Sequence, residues 1–330
     1  MKQTGENKSI QTLLFQKIQN CLLSHQSLVN EISDILQIST DSAYRRIRGT
    51  TSLTADEIVT LCSHFTLSFD SLFGKNPNTV SFTYNPLQDE TSLFNHLLFI
   101  KKQLALFQST PDIEFIYSAV DIPIYHHFGF KAVMAFKIFY WLKGIINLKE
   151  YAHKKFSRDL LDDDTFKEVK EVADMYRNFK STEIWTHATV NSLIKQISYY
   201  WESGWFESKE DALWVCEETE REILSVEEMA SSSTKNGIDE NFKLYFSEIE
   251  ISNNCVLAIS QKYRRVYISH NTINIIVTSH ETFCNETVDW LYNLIQKSTL
   301  ISGTSEKVRY QFFKRSLDDI AKLKSRIKEE

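Results

Sequence analysis

The stretch ISTDSAYRRIRG, residues 38–49, places three arginines within four positions and then ends at a glycine. The chain as a whole is mildly acidic, because 37 of its 330 residues are Lys or Arg and 43 are Asp or Glu. Residues 1–75 carry seven residues of each sign and are neutral. Arginines concentrated in a neutral segment of an acidic chain indicate a surface that can meet a negatively charged partner.

Short helical segments surround this stretch. Apolar residues recur every three to four positions in successive segments, which predicts five short helices at residues 10–23, 27–37, 40–48, 56–65 and 67–74. Thr54 and Glu57 have the spacing of a capping box, which begins the fourth helix. We therefore expect a five-helix domain at residues 1–74, followed by a linker at residues 75–82. The stretch GKNPNTVS, residues 74–81, indicates the linker by its Gly, Pro, Asn and Ser residues.

The second and third helices have the layout of a helix-turn-helix, in which the recognition helix, residues 40–48, lies in the major groove. Arginine can bond guanine O6 and N7 together, and aspartate can accept from cytosine N4. The same arginines can instead meet phosphates, and on a short helix they often form only a solvated face. The order and length of the five helices favour DNA contact by residues Thr40, Asp41, Tyr44, Arg45, Arg46 and Arg48.

Residues 10–74 resemble the Cro/C1-type helix-turn-helix domain. The resemblance rests on helix order, on RRIRG before the loop and on the trailing SLTADEIVTLCSHFTLSFDSLF. It implies a five-helix bundle that binds operator DNA, often as a dimer. Two positions depart from the pattern. Gln37 stands where the turn often has glycine, and a left-handed conformation costs other residues roughly 1–2 kcal/mol. Arg46 stands where the family can have an apolar residue.

Longer helical patterns predominate after residue 83. They predict helices at residues 90–108, 129–148, 182–203, 208–230, 282–298 and 305–328, with one more that begins at Thr165. Short β-branched segments predict a small antiparallel meander at about residues 243–279. The predicted fold class is therefore mainly α, with a larger helical regulatory or oligomerisation domain at residues 83–330 and a small sheet near its end.

A polar and aromatic cluster lies in the second domain, in the stretch DIPIYHHFGF. Adjacent histidines point in different directions on a helix and to opposite faces of a strand, so they form no chelate by themselves. We expect no metal site and no cofactor, and a partly buried structural histidine is the alternative reading. If this domain binds a small ligand, the candidate residues are Asp121, Tyr125, His126 and His127.

Motifs of enzymes and signals of export are missing from the sequence. It contains no GxSxG, HExxH, Walker or GxGxxG motif, and its 8 glycines offer little for a phosphate-binding loop. The five cysteines form no CxxC pair, which is typical of a reduced compartment. The first ten residues are polar, and no apolar run approaches the length of a membrane span. We expect a cytoplasmic protein that is not an enzyme and has no membrane partner.

Two functions remain open from the sequence. The first is a sequence-specific transcriptional regulator of double-stranded DNA, acting as a homodimer because a neutral domain binds weakly as a monomer. The stretches SAVDIPIYHHFGF and FKIFYWL give the whole chain a resemblance to one-component regulators common in the Bacteroidetes, which implies no known ligand. An unidentified small-molecule or protein effector fits this role. The alternative is a protein-interaction module in which residues 76–330 bind another protein and the helix-turn-helix only docks. In such a module the surface around Arg45 and Arg48 can be buried against the acidic segment 159–240 of the same chain.

Overall fold

The computed structural model describes residues 9–22, 26–65, 67, 69, 79–261 and 263–330. The chain forms two compact units, Met1–Thr83 and Tyr84–Glu330. The described part of the first unit contains four helices: α1 (Ile10–Cys21), α2 (Leu28–Leu36), α3 (Thr40–Ile47) and α4 (Ala55–His64). The predicted fifth helix lies largely outside the described residues, as does the first half of the predicted linker.

One small core holds the first unit together. Its fully buried side chains come from all four helices and include Leu14, Ile18, Ile32, Ala43 and Leu61. The fourth helix begins where the sequence predicts a cap. Thr54 Oγ1 accepts from the Glu57 N–H at 3.2 Å, and Glu57 Oε2 accepts from the Thr54 N–H at 2.9 Å, which confirms the predicted capping box.

The second unit is built on an eight-stranded mixed sheet in the order β1-β7-β6-β5-β2-β3-β4-β8. Its strands are β1 (Thr83–Tyr84), β2 (Glu114–Ala119), β3 (Lys180–Trp185), β4 (Phe242–Phe246), β5 (Cys255–Ile259), β6 (Arg264–His270), β7 (Asn274–Thr278) and β8 (Thr299–Leu300). Strands β2, β3 and β4 are parallel, whereas β5, β6 and β7 form an antiparallel meander that joins the sheet at β2.

Helices connect the parallel strands and cover the sheet. They are α5 (Glu90–Gln108), α6 (Ile124–His127), α7 (Lys131–Tyr140), α8 (Asp163–Arg177), α9 (His187–Glu202), α10 (Lys209–Ser232), α11 (Glu281–Gln296) and α12 (Glu306–Glu329). A π-helical turn, Trp141–Ile145, extends α7. No helix in the described ranges is both long and apolar enough to cross a lipid bilayer.

Alternating side chains of β2 face two different cores. Phe115, Tyr117 and Ala119 pack into the large core with α5, α7, α9, α10 and α12. Ile116 points into a smaller core, which α11 covers with Leu291 and Leu294. This two-residue period places helices on both faces of the sheet. Such cover is typical of parallel strands, whose crossover helices pack on the two faces of the sheet.

The prediction of a small antiparallel sheet near the end of the chain is therefore wrong in size and in strand direction. The chain is mainly helical, as expected, but the sheet has eight strands and includes four that the sequence did not predict: the short edge strands β1 and β8 and the central strands β2 and β3. Residues 180–185 form a strand, so the helix predicted at 182–203 begins only at His187. Strands β2 and β3 are buried on both faces and lack the alternation of polar and apolar residues that marks a half-exposed strand. The helix predicted to begin at Thr165 is capped by Asp162.

Candidate functional site

The turn between α2 and α3 is fixed by hydrogen bonds of its own backbone and of one serine. Gln37 has a φ of 53°, in the left-handed region. The Ile38 N–H donates to the Ser33 carbonyl at 3.0 Å, and Ser33 Oγ donates to the Ile38 carbonyl at 2.6 Å. The small side chain of Ser33 thus closes the turn in both directions and sets the angle at which α3 leaves α2.

A glutamine on α1 holds the far end of α3. Gln11 Nε2 donates to the carbonyls of Arg46 and Thr51, at 2.6 and 2.8 Å, and Gln11 Oε1 accepts from the Leu53 N–H at 3.0 Å. Gly49 ends the helix with a φ of 77°. The sequence reading missed Gln11, because helical spacing marks it only as a polar position. Its three bonds connect α1 to the end of α3 and to the segment that follows.

The two sides of α3 differ in burial. Ala43 is fully buried, and Ile47 is partly buried against the same core. Five of the six predicted DNA contacts are exposed on the opposite side, namely Thr40, Asp41, Tyr44, Arg45 and Arg48. The structure therefore gathers these five side chains on one solvent-facing surface, the α3 face.

Neighbouring side chains on the α3 face support each other. Arg45 Nε donates to Asp41 Oδ2 at 3.1 Å, and both side chains remain more than 60% exposed. The Arg48 guanidinium lies 4.4 Å from the centre of the Tyr44 ring. An exposed ion pair and an exposed cation–π pair each contribute little stability. Their effect is to limit the side chains to a few conformations while leaving arginine N–H groups free for a partner.

Arg46, the sixth predicted contact, has a different position. Its guanidinium pairs with Glu57 Oε1 at 2.7 Å, and only 17% of each side chain is exposed. Burial acts to raise the pKa of Glu57, but hydrogen bonds from Arg46 and Thr54 outweigh it and hold the pKa below its usual value. Arg46 thus ties α3 to the start of α4.

Each candidate ligand residue of the second unit has a buried partner of its own. Asp121 Oδ2 accepts from Lys137 Nζ at 2.6 Å, and Gln196 Oε1 accepts from the same ammonium at 3.1 Å. Burial acts to raise the pKa of Asp121, but the charge of Lys137 holds it below its usual value. Tyr125 stacks on Tyr176, with ring centres 4.1 Å apart.

His126 belongs to a network around a buried carboxylate in the middle of β3. Its Nε2 lies 3.0 Å from both oxygens of Glu183, which also accept from Tyr176 Oη at 2.8 Å and Trp185 Nε1 at 2.9 Å. Burial acts to raise the pKa of Glu183, and His126 lowers it below its usual value. Burial lowers the pKa of nearby Lys235 to about 7. This network joins α6 to the sheet, and both oxygens of Glu183 are hydrogen-bonded within it.

His127 faces away from that network. Its Nδ1 lies 2.8 Å from Glu222 Oε1 on α10, and both side chains are fully buried. The adjacent histidines thus serve different partners, as the sequence suggested for any regular backbone. In the described ranges, His, Cys, Asp and Glu side chains do not gather into a group of three that could hold a metal ion.

Comparison with known proteins bears on the N-terminal part of the chain. Searches among curated proteins and among solved structures found no match. Residues 7–108 match the family model of the BetR domain, a regulator domain of helix-turn-helix type. The matched segment contains α1–α4 and ends with the last residue of α5. The match indicates, at a coarse level, a DNA-binding regulatory role for this part of the chain.

Proposed function

We propose that this protein is a sequence-specific transcriptional regulator of the Cro/C1 helix-turn-helix kind, which reads double-stranded DNA with the α3 face. The observation that carries the proposal is the exposure of Thr40, Asp41, Tyr44, Arg45 and Arg48 on one side of a helix whose other side is packed. The BetR match supports it independently. It is a binding function, exercised in the cytoplasm, that requires no catalysis.

Separate roles follow for the residues of the α3 face. Thr40 and Asp41 begin the helix and are placed to meet base edges, because recognition helices contact bases with their N-terminal residues. Arg45 can exchange Asp41 for a guanine edge or a phosphate, and Arg48 can do so while stacked on Tyr44. We assign Arg46 to stability, since its guanidinium is already engaged by Glu57.

We further propose that two copies of the chain bind together. Residues 1–75 are neutral, so one copy gains little from general attraction to phosphates. A homodimer would double the phosphate contacts and place two recognition helices about 34 Å apart on a near-palindromic site. The second unit is the candidate for the dimer contacts and for a response to an effector.

Fluorescence anisotropy with a labelled mixed-sequence duplex tests DNA binding itself. We expect the wild-type affinity to fall steeply between low and physiological salt, because bound phosphates release counterions. The variant Arg45→Ala/Arg48→Ala should bind at least about tenfold more weakly at low salt. Its log–log salt slope should be shallower by about one for each phosphate that the variant no longer neutralises.

The matched control removes an exposed arginine far along the chain. Arg221 on α10 is 67% exposed and pairs with Glu218. Arg221→Ala changes the net charge in the same direction and should bind DNA like the wild type. No binding at low salt would sink the proposal and favour a protein-docking role for the first unit. Equal weakening of DNA binding by both variants would show that the α3 face is not the DNA-binding surface.

A further inference from the structure

A cavity lies within the second unit, between α5 and the sheet, and the segment from Asp121 to Trp141 closes it. It offers about 90 Å³ to the centres of water-sized molecules, where a single ordered water needs roughly 10–15 Å³ on this measure. Of its 22 lining residues, 14 are aliphatic or aromatic. Predominantly apolar walls with a few polar groups are typical of small-molecule sites.

Three buried ring nitrogens around this cavity lack a hydrogen-bond partner among the described residues. They are His96 Nε2, His127 Nε2 and Trp141 Nε1, and each side chain is at most 4% exposed. Leaving a buried polar atom without a partner is destabilising. Such an atom in a folded protein requires an explanation, and three of them around one cavity indicate that the cavity normally has an occupant.

Two of these nitrogens have a defined role as hydrogen-bond donor or acceptor. Burial lowers the pKa of His96 to about 4, so its ring is neutral near pH 7. The bond to the Ile273 backbone acts to raise the pKa of His96, which means that the other ring nitrogen donates its N–H there. In the neutral ring Nε2 is therefore an acceptor. Trp141 Nε1 can only donate. The cavity therefore offers an acceptor and a donor to its occupant.

The charges at the cavity wall cancel. Asp121 and Lys137 both line the cavity and neutralise each other at 2.6 Å. A charged occupant would have to break this buried pair or remain uncompensated, and either is costly. The walls therefore select an uncharged molecule.

Water alone is a poor occupant of such a space. A buried water typically makes about three hydrogen bonds, whereas ten of the 22 lining residues have purely hydrocarbon side chains that offer none. An organic molecule can cover the aromatic walls, such as Phe107 and Phe115, with apolar surface and still meet the ring nitrogens.

We propose that this cavity is a binding site for an uncharged organic molecule of about one ring in size, which donates a hydrogen bond to His96 Nε2 and accepts one from Trp141 Nε1. The proposal does not depend on DNA binding by the first unit. It extends the predicted ligand cluster, since Asp121, Tyr125 and His127 line the cavity and His126 does not.

Titration calorimetry of the full chain with phenol and benzamide tests the site, because both molecules are uncharged, single rings that can donate and accept. We expect saturable binding of at least one of them, with toluene weaker and benzoate not detectable. Trp141→Phe and His96→Leu should each weaken the bound probe about three- to tenfold, the range of one hydrogen bond. Neither should change the toluene affinity by more than about twofold.

Trp290→Phe is the matched control, because Trp290 on α11 is 44% exposed and remote from the cavity lining. It should leave every affinity unchanged. Circular dichroism verifies that each variant is folded. The proposal is overturned if neither phenol nor benzamide binds saturably, which would mean water only. It is equally overturned if binding is unaffected by both Trp141→Phe and His96→Leu.

Discussion

Gln37 takes a backbone conformation that its side chain does not favour. Its φ of 53° is left-handed, at a cost of roughly 1–2 kcal/mol for a residue with a Cβ. The bonds between Ser33 and Ile38 on either side enforce it. The departure from glycine noted in the sequence is thus accommodated by neighbours, and the turn keeps the geometry that aims α3 at solvent.

Gln37→Gly should therefore stabilise the helix-turn-helix by about 1 kcal/mol, because glycine adopts the left-handed region freely and loses only part of this gain to chain entropy. Native-state hydrogen exchange of amides in α2 and α3 measures the change. Gln37→Ala keeps the Cβ and is the control, for which no gain is expected. Equal protection in the glycine and alanine variants would show that Gln37 is unstrained.

At the same scale, five of the six residues that the sequence predicted to contact DNA are exposed, but the sequence did not show which side chains they touch. Helical spacing is enough to separate Ala43 from Arg45. It cannot reveal that Arg46 pairs with Glu57, eleven residues away, or that Gln11 reaches the carbonyls of Arg46 on α3 and of Thr51 beyond it. Long polar side chains find partners through the tertiary fold, and a single sequence carries no signal for that choice.

At the scale of secondary-structure elements, helices α3 and α4 are both held by the carboxylate of Glu57. Glu57 closes the capping box of α4 with one oxygen and binds Arg46 of α3 with the other. Hydrogen bonds of this kind are worth about 1–3 kcal/mol when one partner is charged. The orientation of the α3 face relative to α4 thus rests on a group that titrates.

Glu57→Gln should destabilise the first unit by about 1–2 kcal/mol at pH 7. The folded-state pKa of Glu57 lies below its usual 4.5, so the unfolded chain takes up a proton first as the pH falls. Its contribution is therefore complete above about pH 4.5 and is lost as the pH falls through the folded-state pKa. The difference between wild type and variant should shrink over that range.

Hydrogen exchange in α3 and α4 at several pH values measures this difference. Asp56→Asn is the control, because Asp56 is the exposed neighbour in the same helical turn and its removal alters the same formal charge. It should cost less than Glu57→Gln at pH 7. A Glu57→Gln deficit that stays constant down to acid pH would contradict the ion pair with Arg46.

Helices were easier to predict than strands for a physical reason. A surface helix exposes one side and shows a period of 3.6 residues in its sequence, as α2 and α4 do. Strands β2 and β3 are covered on both faces, and Glu183 lies in the middle of β3. That carboxylate is satisfied by His126, Tyr176 and Trp185, and only the fold brings these residues to it.

The whole molecule combines a small helical unit with an α/β unit of different design. The predicted meander is correct for β5, β6 and β7, whereas β4 runs parallel to β3 on the other side of β2. Strand order is set by pairings between distant segments, such as Tyr117 with both Glu183 and Val256. The candidate cavity depends on the same long-range pairings, so the sequence suggested only Asp121, Tyr125 and His127 among its 22 lining residues and did not suggest their arrangement.

The central claim concerns the α3 face, and selection from a random pool of double-stranded DNA followed by sequencing tests it most directly. The full chain, Arg45→Ala/Arg48→Ala and Arg221→Ala are compared at two salt concentrations. We predict that the wild type and Arg221→Ala enrich one motif with two inverted half-sites about 10 base pairs apart, centre to centre. The double variant should not enrich it. No enrichment by the wild type at either salt, or the same motif from the double variant, would contradict the claim.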